Sequence, residues 1–398
     1  MAVGERSEHV RWATPEYELD RRWREVRANM AEHGIDALLI HNHVDSLGGY
    51  VKYFSDLSAS GGYPLSVIFP AEGPMALVMH GPHGQERDVS GDPSLYGVER
   101  VLTTWSFSSA SYTAEYDAEQ IVRVLREHAG GRIGLVGLAQ MPYRLVAHVK
   151  EELPDTTFLD AADVVDPVKA IKSPYEREAI ARSVALQVAA FEAALEAIEP
   201  GRTEWDVSAA AQAVAREGGS EHGPIMVGAG PPGEPVIFKP PRNQTRVLQR
   251  GDRLTILVEP AGPDGIYSEL GRTIVIGSAD EDLLAEHEFA VQAWRHCATA
   301  IRPGASARGV AADYNAFLRE HGRPEEKRVH CHGQGYDIVE RPLVRSDEPM
   351  ELAEGMLLAL HPMYVHRGAV LWVCDNVFVE AGGVSPPLHG VEQKVFEV

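Results

Sequence analysis

Glu259, Glu269, His332, His361 and Cys374 are the side chains in the second half of this sequence whose types could do chemistry together. The two histidines, in the runs CHGQG and HPM, are the acid–base candidates, because an imidazole titrates near neutral pH. Glu269 could orient or charge one of them, or bind a substrate cation, with Glu259 near the rim of the same pocket. Cys374 could act as a nucleophile, although a cysteine on an apolar segment more often packs as a small inert hydrophobe. His222, in EHGP, is a further candidate beside a substrate-facing loop, and Arg272 and Arg341 could hold a substrate carboxylate. Tyr53, Trp105 and Tyr336 could wall a pocket. These residues lie on separate segments, so spacing alone does not bring them together.

The elements that must position them read as an alternating α/β half followed by an α+β half. Leu19, Trp23, Val26 and Met30 fall on one face of a helix opened at Pro15 and stopped at Gly34. Strands are predicted at Ala37–Ile40, Leu65–Phe69, Ala76–Met79 and Ile133–Val136, with a glycine-rich loop through Tyr53 and Phe54 and a helix at Ala118–Glu127. A domain boundary is placed near Asp166–Lys169, dividing the chain into residues 1–168 and 169–398. Ser173, Pro174 and Glu176 then read as a capping box with proline at the first helical position. A helix–Pro-Gly–helix pattern follows twice, ending near Gly218 and again over Asp282–Ile301 and Ser306–His321. The tract Gly228–Gly233 lacks the strand–GxGxxG–helix setting of a nucleotide loop.

Composition narrows the classes. With 37 basic against 58 acidic residues the net charge is −21, which repels nucleic-acid phosphates and anionic membranes and modestly favours cationic small substrates. No run of about 18 apolar residues and no signal-peptide core is present, so a cytoplasmic location without membrane association is expected. Cys297, Cys331 and Cys374 are too few and too scattered for a disulfide framework.

The ordered segments IKSPYEREAI, EPGRTEWDV, GDRLTILVEPAGPDGIYSELGRT, HCHGQGYDIVERP, LAEGMLLALHPMYV and VCDNVFVEAGG resemble the pita-bread fold of the creatinase, aminopeptidase P and prolidase family. The resemblance covers nearly the whole chain. It implies a creatinase-type α/β N-terminal domain, a C-terminal pita-bread domain, a homodimer, and a site for two divalent ions on two Asp, one His and two Glu. Position by position, the first Asp falls at Val258 or Glu259 and the second at Glu269. The His is kept as His332, and the two Glu become His361 and Cys374. An assisting His falls at Val339, and an upstream one, near Lys239, is missing.

Two metals need bridging carboxylates to offset their charge, so the usual dinuclear peptidase site is not expected. The expectation carried forward is a creatinase-type hydrolase or lyase that breaks a C–N or related bond in a small substrate. His332, His361 and Glu269 are its acid–base residues, Glu259, Cys374, His222, Tyr336 and Arg341 line the substrate, and no cofactor is required. The alternatives are a peptidase of Xaa-Pro type with one Zn, Mn or Fe held by Glu269, His332, His361 and Cys374, and a non-catalytic pita-bread binding module.

Overall fold

The structure, a computed structural model, describes residues 13–43, 49–58, 62–366 and 369–398. The segment read as lacking an export signal, residues 1–12, and residues 44–48 of the glycine-rich loop lie outside the described residues. The chain divides into two compact units between Lys169 and Ala170.

In the first unit, helix α1 (Glu16–His33) buries Leu19, Trp23, Val26 and Met30 and ends at Gly34 in the left-handed region (φ 60°), which costs glycine nothing. Strands β1 (Ala37–Asn42), β2 (Leu65–Pro70), β3 (Met75–His80), β4 (Glu86–Asp88), β5 (Val98–Thr104), β6 (Arg132–Val136) and β7 (Thr157–Asp160) form one sheet in the order β4-β5-β3-β2-β1-β6-β7. Helices α2 (Gly49–Ser55), α3 (Ala114–Leu125), α4 (Tyr143–Glu152) and α5 (Ala162–Ala170) complete it. Strand β1 is buried at every position, which explains its unbroken apolar core run. Tyr53 and Phe54, expected in a loop, are helical because α2 turns both rings into the core. The stretch Asp166–Lys169, where a boundary is expected, lies in the last part of α5, directly before the division between the two units.

In the second unit, the Ser173 hydroxyl accepts from Glu176 N at 3.1 Å and the Glu176 carboxylate accepts from Ser173 N at 2.9 Å, so the capping box that starts α6 (Pro174–Glu196) is formed. Thr203 and Asp206 do the same for α7 (Glu204–Glu217). Strands β8 (Ile225–Gly230), β9 (Arg253–Val258) and β10 (Leu270–Val275) pair antiparallel. Helices α8 (Glu281–Ala300) and α9 (Ala307–Glu320) follow. A second sheet contains β11 (Cys331–Gly333), β12 (Glu340–Leu343), β13 (Leu357–Leu360), β16 (Asp375–Glu380) and β17 (Gly383–Val384). Strands β14 (Met363–His366) and β15 (Ala369–Trp372) form a hairpin, and β18 (Phe396–Glu397) pairs with β10. Gly228–Gly230 is the end of β8, where a Cβ on Gly228 would meet the Ile237 carbonyl oxygen at 2.0 Å. No helix among the described residues is long and apolar enough to cross a membrane.

His287 on α8 is buried, its Nε2 has no partner, and burial lowers its pKa to about 4. The unfolded chain binds that proton near pH 6.5 and the folded chain does not, so the stability it carries is present above about pH 6.5 and lost as pH falls toward 4. His287→Leu is therefore expected to gain on the wild type by about 1.4 kcal/mol between pH 7.5 and 5.5. Urea midpoints at the two pH values measure it, and an unchanged difference contradicts the assignment.

Candidate metal and catalytic site

Strand register brings the candidates together. Val258 lies opposite Leu270 in the β9–β10 pair, so one step further Glu259 faces Glu269. In the neighbouring sheet His332, Ala359 and Asn376 stand in one row, and one step past the β13–β16 ladder His361 faces Cys374. Side chains two apart on a strand share a face, which puts His332, His361, Cys374 and Asn376 on the same side with only the methyl of Ala359 between them. The alternate residues Cys331, Leu358, Leu360 and Val377 pack into the hydrophobic core. Backbone bonds between Gly271 and Cys374, at 3.1 and 3.2 Å, join the two sheets at this point.

Glu269, His332 and His361 are the result: three buried side chains whose ligand atoms all lie within 4.8 Å of one another. His361 Nε2 is 3.8 Å from Glu269 Oε1, and the two imidazole rings are 4.9 Å apart. His332 Nδ1 is 2.8 Å from the Gly333 carbonyl, which can only accept, so Nδ1 carries the proton and Nε2 presents a lone pair. Burial lowers His361 to about pKa 4 against the opposing pull of Glu269, so this ring is neutral at physiological pH. Its Nδ1 is buried without a partner.

Two carboxyls placed opposite each other in a dry site cannot both ionise. Burial, and then the charge of Glu269, raise Glu259 well above the carboxylate range, so it is the protonated member and hydrogen-bonds to Glu269. Gln334 Nε2 donates to Glu259 Oε1 at 2.9 Å, and Asn376 Nδ2 donates to Gln334 Oε1 at 2.9 Å. Burial alone would raise Glu269 too, but His361, His332 and the hydrogen bonds from Glu259 and Cys374 take it below its ordinary value. Among the described residues no lysine or arginine pairs with Glu269.

Cys374 takes a different part from the one expected. Burial and the adjacent Glu269 push its thiol up, so it stays S–H and donates to Glu269 Oε1 at 2.8 Å. As a protonated thiol it is a poor nucleophile. Glu259 is buried, not at the rim. Arg341 is turned to Glu348, which it binds through two N–H groups at 3.2 and 2.7 Å. Arg272 is fully buried, spending its guanidinium on Asp375 at 2.9 Å and on backbone carbonyls. Tyr336 is buried, and His222 is tied to the Glu259 turn by its carbonyl, which accepts from Ala261 N at 2.8 Å, not by its ring. Tyr53 is a core residue and Trp105 is exposed, both in the first unit.

The sequence reading missed Gln334 and Asn376, although both stand in the runs CHGQG and CDN. It also missed Trp372, which stacks on His361 at 5.2 Å and meets the edge of Phe238 at 4.8 Å. Arg328 lies over the same indole at 5.6 Å. Gly271 makes room for it, since a Cβ there would fall 1.7 Å from Trp372 Nε1. Phe238 immediately precedes Lys239, where the resemblance led to an upstream histidine, so an aromatic pair covers that side.

Comparisons with known proteins agree with this architecture. A family model of metallopeptidase family M24 matches residues 178–384, and one of the creatinase/prolidase N-terminal domain matches residues 22–171. Over 205 residues, 51% of this chain, the sequence is 32% identical to a probable dipeptidase PepE of Mycobacterium tuberculosis, so the match spans 54% of that relative's length. It is 24% identical to a creatinase of a Bacillus species over 369 residues, 87% of this chain and 83% of that one. The X-Pro aminopeptidase of Thermotoga maritima superposes with a TM-score of 0.77 over 94% of this chain and 99% of that one at 18% identity, a likeness of fold.

Proposed function

Because this chain belongs to metallopeptidase family M24, with a creatinase-type domain preceding its pita-bread domain, we propose that it hydrolyses an amide-type C–N bond of a small substrate around one divalent ion. The observation that carries this reading is the convergence of Glu269, His332 and His361 within 4.8 Å around a buried, ionised carboxylate. Two imidazoles and one carboxylate form a donor set for a single zinc or iron-type ion and leave coordination positions open. An unpaired buried negative charge is costly, and a cation among these three side chains offsets it. Among the described residues, Glu269, His332 and His361 form the one such cluster.

A divalent ion bound there would polarise the substrate carbonyl and acidify a water. The chain's own groups supply the rest. Glu259 holds a proton beside the site, positioned by Gln334, for transfer to the departing nitrogen. Cys374 fixes Glu269 by donating to its Oε1, and the Gly333 carbonyl fixes the His332 tautomer. Trp372 and Phe238 keep water from one side of His361.

A metal-free acid–base pocket of the creatinase type is the second reading, favoured by the hydrogen bonds that already satisfy Glu269 from Cys374 and Glu259. Elemental analysis of the purified protein separates the two. About one divalent ion per chain is expected, with hydrolysis of a dipeptide panel lost on chelation and restored by the metal. Full hydrolytic activity without stoichiometric metal selects the metal-free reading.

A further inference from the structure

In the first unit β1, β3, β5, β6 and β7 all run in one direction, because β1–β6, β6–β7 and β3–β5 pair parallel while β2 alternates antiparallel between β1 and β3. Their C-terminal ends therefore share one edge of the sheet. At this edge the chain order turns at β1, with β2 on one side and β6, reached from β5 through α3, on the other. In open α/β sheets the crevice outside the carboxyl ends of the strands at such a turn is where ligands bind.

A cavity of about 230 Å³ lies there, lined by residues that include His41, His43, Ser106, Phe107, Asp117 and Gln140. It is smaller than the roughly 300–1,000 Å³ of a drug-sized site. Three of its polar residues are almost fully buried, His41 and Ser106 at 2% and Asp117 at 3% exposure. His41 Nδ1 is 2.8 Å from the Ser66 hydroxyl, while its Nε2 is buried with no partner, as is His43 Nδ1. Such atoms cost stability unless something pairs with them.

Asp117 accepts from the Thr104 hydroxyl at 2.7 Å, and among the described residues no lysine or arginine lines the cavity. Burial raises its pKa to about 6, against weaker lowering by the hydroxyls of Thr104 and Ser106 and by His80. Its charge at neutral pH thus rests on hydroxyl hydrogen bonds and on His80, not on a lysine or arginine of the cavity wall. Phe107, Met141, two alanines and two prolines supply the apolar part of the wall, beside Ser108 and Ser111. Negative charge, free imidazole nitrogens and an aromatic face together select a cation with N–H donors and a short carbon body.

We propose that this cavity is a binding site for a small organic cation, an ammonium or guanidinium group on a short chain, with its charged end on Asp117, an N–H toward His41 and its carbons against Phe107. Its lining belongs to the first unit and Glu269, His332 and His361 to the second, and it does not depend on the reaction proposed for them.

Isothermal titration of the full-length protein with n-butylammonium, 1-butanol and butyrate, which share one carbon chain and differ in charge, tests it. Saturable binding of about one butylammonium per chain is expected, with butanol and butyrate weaker by about tenfold or more. Asp117→Asn, and independently Ala139→Phe, which puts a ring into the cavity wall, are each expected to weaken butylammonium by a similar factor. Glu269→Gln is expected to leave it unchanged. No saturable butylammonium binding, butyrate binding as tight as butylammonium, or binding that survives both cavity variants overturns the proposal. Loss of binding in Glu269→Gln also overturns it, by placing the cation in the other site.

Discussion

His361→Ala and His332→Ala are each expected to lower kcat/KM by about 10²–10⁴-fold, with loss of bound divalent ion. Neither ring is a major structural tie. His361 Nδ1 has no partner, and the His332 Nδ1 bond is to the adjacent Gly333 carbonyl. The stability cost should therefore be below the roughly 2–5 kcal/mol of a large core deletion. Because the three ligands act as one unit, the double variant should be little worse than either single one. Kinetics on a dipeptide panel, elemental analysis and urea midpoints read these effects. Wild-type turnover in both single variants removes the site assignment.

Much of the frame was legible because its signals are local. The Ser173–Pro174–Glu176 start of α6 and the 3.6-residue stripe of α1 are set by neighbouring residues, and both formed as expected. Strands β5 and β7 were not read. VERVLTT mixes charge with apolar residues, and TFLD is only partly buried, so neither shows a clean period of two.

The site divides in the same way. The frame of motifs marked Glu269, His332 and His361, and the fold sets their ligand atoms within 4.8 Å of one another. Proton sharing between Glu259 and Glu269 depends on register across the β9–β10 connection and on burial, neither of which a linear sequence displays. Arg272 and Arg341 resemble substrate ligands until their partners, Asp375 and Glu348, are seen. Trp372 and Phe238 carry no signal that separates them from core aromatics, and only the glycine at 271 hints that a ring comes close.

Glu259→Gln separates the roles within the carboxyl pair. A glutamine amide can still donate to Glu269 and occupies nearly the same volume, so the ionised state of Glu269 and metal binding should survive. What it cannot do is give up a proton to a departing nitrogen. The expected result is a fall in kcat of about 10²–10⁴-fold with metal content near one per chain and KM little changed. Glu269→Gln, by contrast, removes the negative charge that draws the cation in, and should lose metal and turnover together. If Glu259→Gln keeps wild-type kcat, the protonated acid is only a partner that holds Glu269 in place, and the proton for the leaving group comes from elsewhere. If it loses metal as Glu269→Gln does, Glu259 belongs to the ligand set and the one-ion reading fails.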